Sequence, residues 1–358
     1  MTSRPSARDR RTLAGLRLAA QGVARPSVDD PVEVARGLLA MQAQDYLGVL
    51  WSLALRTRAA TETDVESAHA SGALVRSWPL RGTLHLVAAE DLGWMLSLTG
   101  ERTVRSAAGR HRQLGLDDAD FARAAAIARE RLTGGARASR DELLEAFRAG
   151  GVATDRQRGA HLLGHLAHTG LVVLSQRTEY ALLDEHVPEP HRLDPDAAAE
   201  ELALRYFTGH GPATVRDLAW WSGLPVTLVR AATERVRDRL DVLELGGVEY
   251  LMRPGLEPAG DGVHALPGFD EYLLGYADRS AALAPEHADT IVPGGNGMFL
   301  PTLVVRGEVV GTWRRERGRR VVKVTAAPFA PLSGVAERGF AVAMRRYGRF
   351  LGSDVALG

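Results

Sequence analysis

One arrangement recurs three times along this chain: two or three amphipathic helices, then a short hairpin of alternating apolar residues. In the first copy, Pro31 opens a helix after Ser27 and Asp29-Asp30, and helices are expected at 31–41, 47–56 and 62–70. Thr61 caps the last of these, with Asp64 three residues on. Strands 73–78 and 83–87 follow, turned by Pro79 to Gly82, and a helix at 89–98 closes the copy. The second copy places helices at 119–132, 140–148 (capped by Ser139) and 155–168, then a hairpin of 171–175 against 179–183. The third has helices at 197–207, 215–222 (capped by Thr214) and 225–240, and Gly246-Gly247 turns 242–245 back on 248–252.

Helix, helix, hairpin is the order of a winged-helix module, whose second packed helix enters a groove while the hairpin wing touches backbone. Past residue 262 the texture shifts to strand, at 302–305, 308–313 and 319–325, turned at Gly307 and Gly318. A final helix at 334–350 carries Arg345, Arg346 and Arg349. The expected fold is α+β and mainly helical: three tandem winged-helix modules with a C-terminal antiparallel β-hairpin region and a closing helix. The expected division is 1–115, 116–190, 191–258 and 259–358, with linkers at Gly134-Gly135, Val187-Pro188-Glu189-Pro190 and 257–262.

Composition narrows the chemistry. The 358 residues suit two or three domains, and 45% hydrophobic residues supply buried cores. No apolar stretch approaches a membrane span, because Arg, Asp or Gly interrupts each one. The basic, polar start at 1–11 lacks the apolar core of a signal peptide, so a cytoplasmic protein is expected. With no cysteine, disulfides, thiol catalysis, Cys-rich zinc sites and Cys-held iron–sulfur clusters are excluded. The 44 basic and 44 acidic residues cancel, so a basic face can only be local and at least one copy is scaffold. Lys323 is the sole lysine, in a strand-like run where it should face solvent. Schiff-base chemistry needs a lysine or a terminal amine. A lyase step, a pyridoxal enzyme and a Gly-rich phosphate loop ending in lysine are therefore disfavoured, and no cofactor is expected.

Two amides stand between the first two helices, at Gln42-Ala43-Gln44. On a helix, positions i and i+2 point about 200° apart; on an extended segment they point the same way. If both serve one site, the helix must stop at or before Gln42. Amides do not titrate, but they hold and orient a water, which suits a reaction whose leaving group is already activated. The plainer reading is two solvated residues in a turn. The triplet stands in Leu38-Leu39-Ala40-Met41-Gln42-Ala43-Gln44-Asp45-Tyr46, followed by Val75-Arg76-Ser77-Trp78-Pro79-Leu80-Arg81-Gly82-Thr83-Leu84-His85-Leu86. Phe269-Asp270-Glu271-Tyr272-Leu273 and Val310-Gly311-Thr312-Trp313-Arg314 come later. Together these segments resemble the bacterial winged-helix family that includes the AlkZ- and YcaQ-type DNA glycosylases, from about Arg11 to the tail. That family excises alkylated purines, including interstrand crosslinks, and its catalytic signature is Gln, an aliphatic residue, then Gln or Asp. The resemblance implies that Gln42 and Gln44 hold the attacking water. Asp45, the nearest carboxylate, is either a weak base and cation stabiliser or, more plainly, the N-cap of the next helix.

Other residues offer contacts to DNA. Arg76 and Trp78 share a strand face with Arg81 at the turn, a phosphate and base contact; Trp78 equally fills the core under the wing. His85 reads as a satisfied interior histidine or a proton shuttle. Arg156, Gln157 and Arg158 open a groove-reading helix. His161, His165 and His168 share that helix's face but no acid joins them, and Gly164 points to close packing, so no metal is expected. Arg314, Arg315, Arg317, Arg319 and Arg320 cluster at a hairpin tip beside Trp313, either a solvated turn or a backbone contact. The resemblance also implies a duplex-probing hairpin and puts Phe269, Asp270 and Tyr272 near the DNA-facing cleft. Arg102, Arg105, Arg110, His111 and Arg112 form a further basic stretch. The function expected is monofunctional excision of N7- or N3-alkylated or crosslinked purines from double-stranded DNA, by a monomer that touches no membrane. The alternative is a non-catalytic winged-helix DNA-binding protein, such as a regulator or a lesion- or drug-binding protein.

Overall fold

Capping chemistry sets most helix starts. Asp30 accepts the Val32 N–H at 2.8 Å, and Pro31 fills the first helical position, where no N–H is needed. Ser139 with Glu142, and Thr214 with Asp217, form reciprocal capping boxes. Thr61 and Asp64 do the same ahead of helix Glu62–Ala70. The computed structural model describes residues 6–187, 189–318 and 321–358. It is 50% helical and 19% strand, a mixed and mainly helical class. The chain divides into two compact units, Ser67–Ala199 and the combination of Met1–Glu66 with Glu200–Gly358. The boundary at 66 falls inside the first expected copy.

In the unit Ser67–Ala199, strands run in the order Thr83–Ala88, Leu74–Leu80, Val172–Leu174, Glu179–Leu182 and Ala138–Ser139. Helices Asp118–Leu132, Arg140–Ala149 and Arg158–His168 precede the second hairpin, and Phe121, Leu132, Leu143, Phe147, Leu162 and Leu166 fill the core beneath it. Several expectations are corrected here. The helix after the first hairpin runs from Ala89 to Gln113, not to 98. Gly100 lies within it, and a Cβ there would clash with the His168 carbonyl oxygen, so glycine is needed for close packing. The helix expected from 155 begins at Arg158, because Arg156 and Gln157 take left-handed φ values of 48° and 73°. A Cβ on Gly164 would meet nothing within 4 Å, so its expected packing role is absent; Gly159 has that role instead, against Leu144. His165 stacks on Phe121 at 4.0 Å, a packing contact.

In the other unit, five strands pair in the order Asp354–Leu357, Val321–Pro328, Glu308–Arg317, Thr302–Val305 and Val263–Leu266, all antiparallel except the first pair. Arg306 and Gly307, both at positive φ, turn the hairpin of Thr302–Val305 and Glu308–Arg317, where Gly307 was expected to turn it. Helix Gly334–Leu351 buries Ala336, Phe340, Met344, Tyr347 and Phe350 along one stripe. Helix Tyr46–Ala54 is pinned beside them: Trp51 donates from Nε1 to the Ala265 carbonyl at 2.9 Å and meets Tyr347 and Phe350 at 5.1 Å each. Arg346 closes the far end of that helix by donating to the Leu55 and Thr57 carbonyls. Helices Pro195–His210, Val215–Ser222 and Val226–Arg235 lead to the hairpin Asp241–Leu245 and Val248–Met252. The helix expected to reach 240 stops at Arg235 and passes into a 3₁₀ turn. Strand Asp354–Leu357 and helix Ala7–Ala20 had no counterpart in the expected elements. Pro188 in the expected linker lies outside the described residues.

A buried ion pair ties this unit together across the sequence. Arg56 Nη1 and Nη2 grip Asp270 Oδ2 and Oδ1 at 2.8 and 2.9 Å. Burial alone would raise the Asp270 carboxyl, but the Arg56 charge, its hydrogen bonds, Ser52 Oγ and the Tyr272 N–H outweigh it, so the carboxyl lies below the ordinary range. Removing one partner of such a pair strands a buried charge. Arg56→Met should cost about 3–5 kcal/mol in urea unfolding, and adding Asp270→Asn should recover part of that loss; a cost under about 1 kcal/mol would show that the pair holds nothing. In the unit Ser67–Ala199, burial drives the His69 imidazole down to about 4, only partly offset by its bond to the Leu174 carbonyl. Its contribution is therefore present above pH 6.5 and is lost as the pH falls towards about 4, up to about 3 kcal/mol. His69→Gln should flatten the stability of this unit between pH 6.5 and 4; an unchanged slope excludes this histidine as the source.

Candidate active site

A strained turn sets up the two amides. Leu39 has φ 66° and ψ −58°, and the Ala40 N–H donates to the Leu38 carbonyl at 2.7 Å. This is the rare, strained hand of γ-turn. An L-residue held there costs on the order of 1–3 kcal/mol, and the fully buried Leu39 side chain anchors it. The turn ends helix Pro31–Leu38 and sends the chain into the extended pair Met41–Gln42. The helix thus stops before Gln42, not at the expected 41. Gln42 is 8% exposed, whereas Gln44 is exposed, so the two amides reach different depths.

The Gln42 backbone is held by a carboxylate that sequence reasoning missed. Glu271 is fully buried, and its Oε1 accepts the Gln42 N–H at 3.3 Å. Its Oε2 accepts Trp221 Nε1–H at 2.8 Å and lies 3.3 Å from His210 Nε2. The Glu271 carbonyl accepts from Gln21 Nε2 at 3.1 Å, and Gln21 Oε1 accepts from Arg56 at 2.8 Å. The motif backbone, Glu271, Gln21 and the Arg56–Asp270 pair therefore form one hydrogen-bonded chain. Of the three neighbours named from sequence, Asp270 caps helix Glu271–Leu274 and bonds Arg56, and Tyr272 donates to the Gly307 carbonyl at 2.6 Å. Phe269 takes a left-handed φ of 60°, a strained value for a bulky residue, at the start of this segment. All three are buried supports with no open face. The signal available in sequence was an adjacent Asp-Glu pair inside an apolar run.

Asp45 stands at the N-cap position of helix Tyr46–Ala54, yet its side chain makes no capping bond. Its Oδ2 faces Arg315 Nη2 at 3.4 Å, and Gly48 leaves the room, since a Cβ there would sit 2.7 Å from that oxygen. Arg315 also donates to the Tyr347 hydroxyl at 3.2 Å. Along Glu308–Arg317 the side chains alternate. Trp313, Arg315 and Arg317 share one face: Trp313 is buried with Nε1 on the Leu266 carbonyl at 2.8 Å, and Arg317 pairs with Glu62 at 2.6 Å. Arg314 lies on the other face, largely exposed, with Glu316 at 3.8 Å. The structure thus brings Gln42, Asp45 and Arg315 onto adjoining elements. Arg319 and Arg320 lie outside the described residues.

The remaining candidates belong to the unit Ser67–Ala199. Arg76 donates to the Arg177 carbonyl at 3.1 Å, and Arg81 sits at φ 53° in the turn with Gly82, which is shorter than the expected turn from Pro79. Trp78 packs against the core. His85 is buried, with Nδ1 2.8 Å from the Thr83 carbonyl oxygen, an interior histidine. Arg156 is exposed near Asp155. Arg158 is corrected as a DNA contact: its guanidinium is committed to the Leu114, Gly115 and Ala153 carbonyls and to Asp120 at 3.1 Å. Among the described residues, no group of three or more His, Asp or Glu is arranged to hold a metal, and no helix is long and apolar enough to cross a membrane.

Comparison with known proteins gives this arrangement its relatives. The model of the family described as DNA glycosylase AlkZ-like matches residues 35–350. An interstrand DNA cross-link repair glycosylase of Streptomyces sahachiroi is 26% identical over 318 residues, 81% of this chain and 82% of that protein. The solved structure of the Streptomyces sahachiroi DNA glycosylase AlkZ matches with a TM-score of 0.79 at 23% identity, covering 97% of this chain and 99% of that one, a likeness of fold. With a family match that spans both amides, the Asp-Glu pair and the arginine hairpin, this chain belongs to the AlkZ-like DNA glycosylases.

Proposed function

We propose that this DNA glycosylase hydrolyses the N-glycosidic bond of purines alkylated at N7 or N3, with Gln42 and Gln44 orienting the attacking water. An alkylated purine is cationic, so it departs without a strong acid. Water adds to C1′, the C1′–N bond breaks, its electron pair neutralises the ring, and a proton passes to Asp45 or solvent. The transition state is an oxocarbenium ion, which gains from fixed dipoles and negative charge nearby. Asp45, oriented by Arg315, supplies that charge. The observation that carries this reading is the bond from the Gln42 N–H to the fully buried Glu271, just after the strained Leu39 turn. It fixes the motif before substrate arrives, as a water-positioning site requires. Lys323 alternates with buried Val322 and Val324 and faces solvent, in keeping with a single hydrolytic step and no lyase chemistry. The relative's crosslink-repair activity suggests a crosslinked purine as one substrate. The helix–helix–hairpin segments serve in this reading as winged-helix modules within the four-part division, and the protein works as a monomer.

Wild-type protein should release free base from an N7-alkylguanine duplex and leave an uncut abasic strand. Gln44→Ala should lower release by about 10²–10³-fold with duplex binding retained. No release from any N7- or N3-alkyl duplex would sink the proposal and leave a protein that only binds DNA. The basic contacts separate by how their guanidiniums are engaged. Arg314→Ala should weaken duplex binding and reduce the salt slope by about one. Arg158→Ala should leave both unchanged while lowering the unfolding midpoint, because its bonds are internal; a loss of slope in that variant would overturn its reassignment.

A further inference from the structure

The segment 293–300 protrudes from the same end of the sheet as the arginine strand. Thr302 pairs with Thr312, and the Trp313 N–H donates to the Pro301 carbonyl at 3.2 Å, so the residues before Pro301 continue towards Arg314–Arg317. The tip is apolar and exposed: Met298 is 53% and Leu300 38% exposed. It is also built to one shape. Gly294, Gly295 and Gly297 have φ of 60°, 63° and 78°, and a Cβ on any of them would meet nothing within 4 Å. These glycines thus serve backbone conformation and not packing. Asp289 Oδ1 accepts the Gly294 N–H at 2.9 Å, and Asn296 Oδ1 accepts the Met298 N–H at 2.8 Å, which presents Met298 at the crest. The base is anchored: Leu300 N–H bonds the Ile291 carbonyl at 3.0 Å, and the Phe299 ring lies 5.0 Å from the Arg279 guanidinium and 6.3 Å from Phe269. Phe269 opens the segment whose Glu271 holds Gln42.

An exposed, pre-shaped thioether beside a strand of arginines matches a base step flanked by phosphates. Apolar side chains that enter such a step unstack it and kink the duplex at a cost of a few kcal/mol. We propose that Met298 is a wedge that inserts between stacked base pairs next to the target nucleotide, with Leu300 and Phe299 behind it. This rests on the duplex-acting reading above. It adds a way to open the helix around a base that a crosslink prevents from swinging out.

The test uses the full chain with two duplexes, one undamaged and one carrying N7-alkylguanine, each with 2-aminopurine next to the target position. Binding of wild type should raise 2-aminopurine emission in both. Met298→Ala should abolish most of that rise and slow base release by about tenfold or more, a change on the scale of one lost unstacking contact. Affinity should stay within about threefold, because phosphate contacts dominate it. Met298→Leu should restore emission and rate, and both variants should unfold at the wild-type midpoint. The wedge is overturned if Met298→Ala retains the emission rise and the release rate. A Met298-dependent rise without any base release would instead remove the glycosylase chemistry and leave the wedge standing. Failure of the wild type to bind duplex would remove both.

Discussion

Two opposite charges taken out of water, Arg56 and Asp270, set the constraint on which the larger unit depends. They lie 214 positions apart in sequence and meet with both guanidinium arms engaged. Ion pairs in a dry interior hold only when every remaining donor and acceptor is satisfied. That requirement recruits Ser52, Gln21 and the Tyr272 N–H, and through Gln21 it fixes Glu271. The amide motif is therefore the last link of a network whose first link is deep in the core. In the proposed reaction, a side chain that steers one water within a fraction of an ångström needs support of this kind.

Neutral net charge is handled by pairing along the hairpin. Arg315 and Arg317, on the face turned towards the amide turn and helix Glu62–Ala70, each meet an acid, whereas Arg314 on the opposite face remains largely exposed. An arginine count at a hairpin tip thus overstates the charge offered to a phosphate. Strand alternation, not the number of arginines, decides which of them is available.

Much of the local structure was legible. Pro31 after Asp29-Asp30, the caps Ser139 and Thr214, and the turn Gly246-Gly247 each encode their element locally, and each is found where expected. Features that depend on a distant partner were not. The helix expected at 89–98 continues through Gly100, whose reason for being glycine lies at His168. Arg158 looked like a phosphate ligand until four internal acceptors surrounded it. Glu271 was quoted within its segment but given no role, because its value comes from Gln42, His210 and Trp221, none of them near it in the chain. Within the motif, the family resemblance supplied a role for the two glutamines; neither spacing nor amide chemistry alone chose between a water site and a solvated turn.

Strand Asp354–Leu357 lies parallel to Val321–Val324, on the outer side of the arginine hairpin. It takes over the rim of the sheet there and, at four residues, offers only a short edge, one of the ways sheets limit grafting by unrelated chains. A visitor to this part of the molecule finds little backbone to zip onto. What it meets instead is side chains on the broad surface, and the short rim helps guard an arginine-rich ribbon against sticking to its own kind.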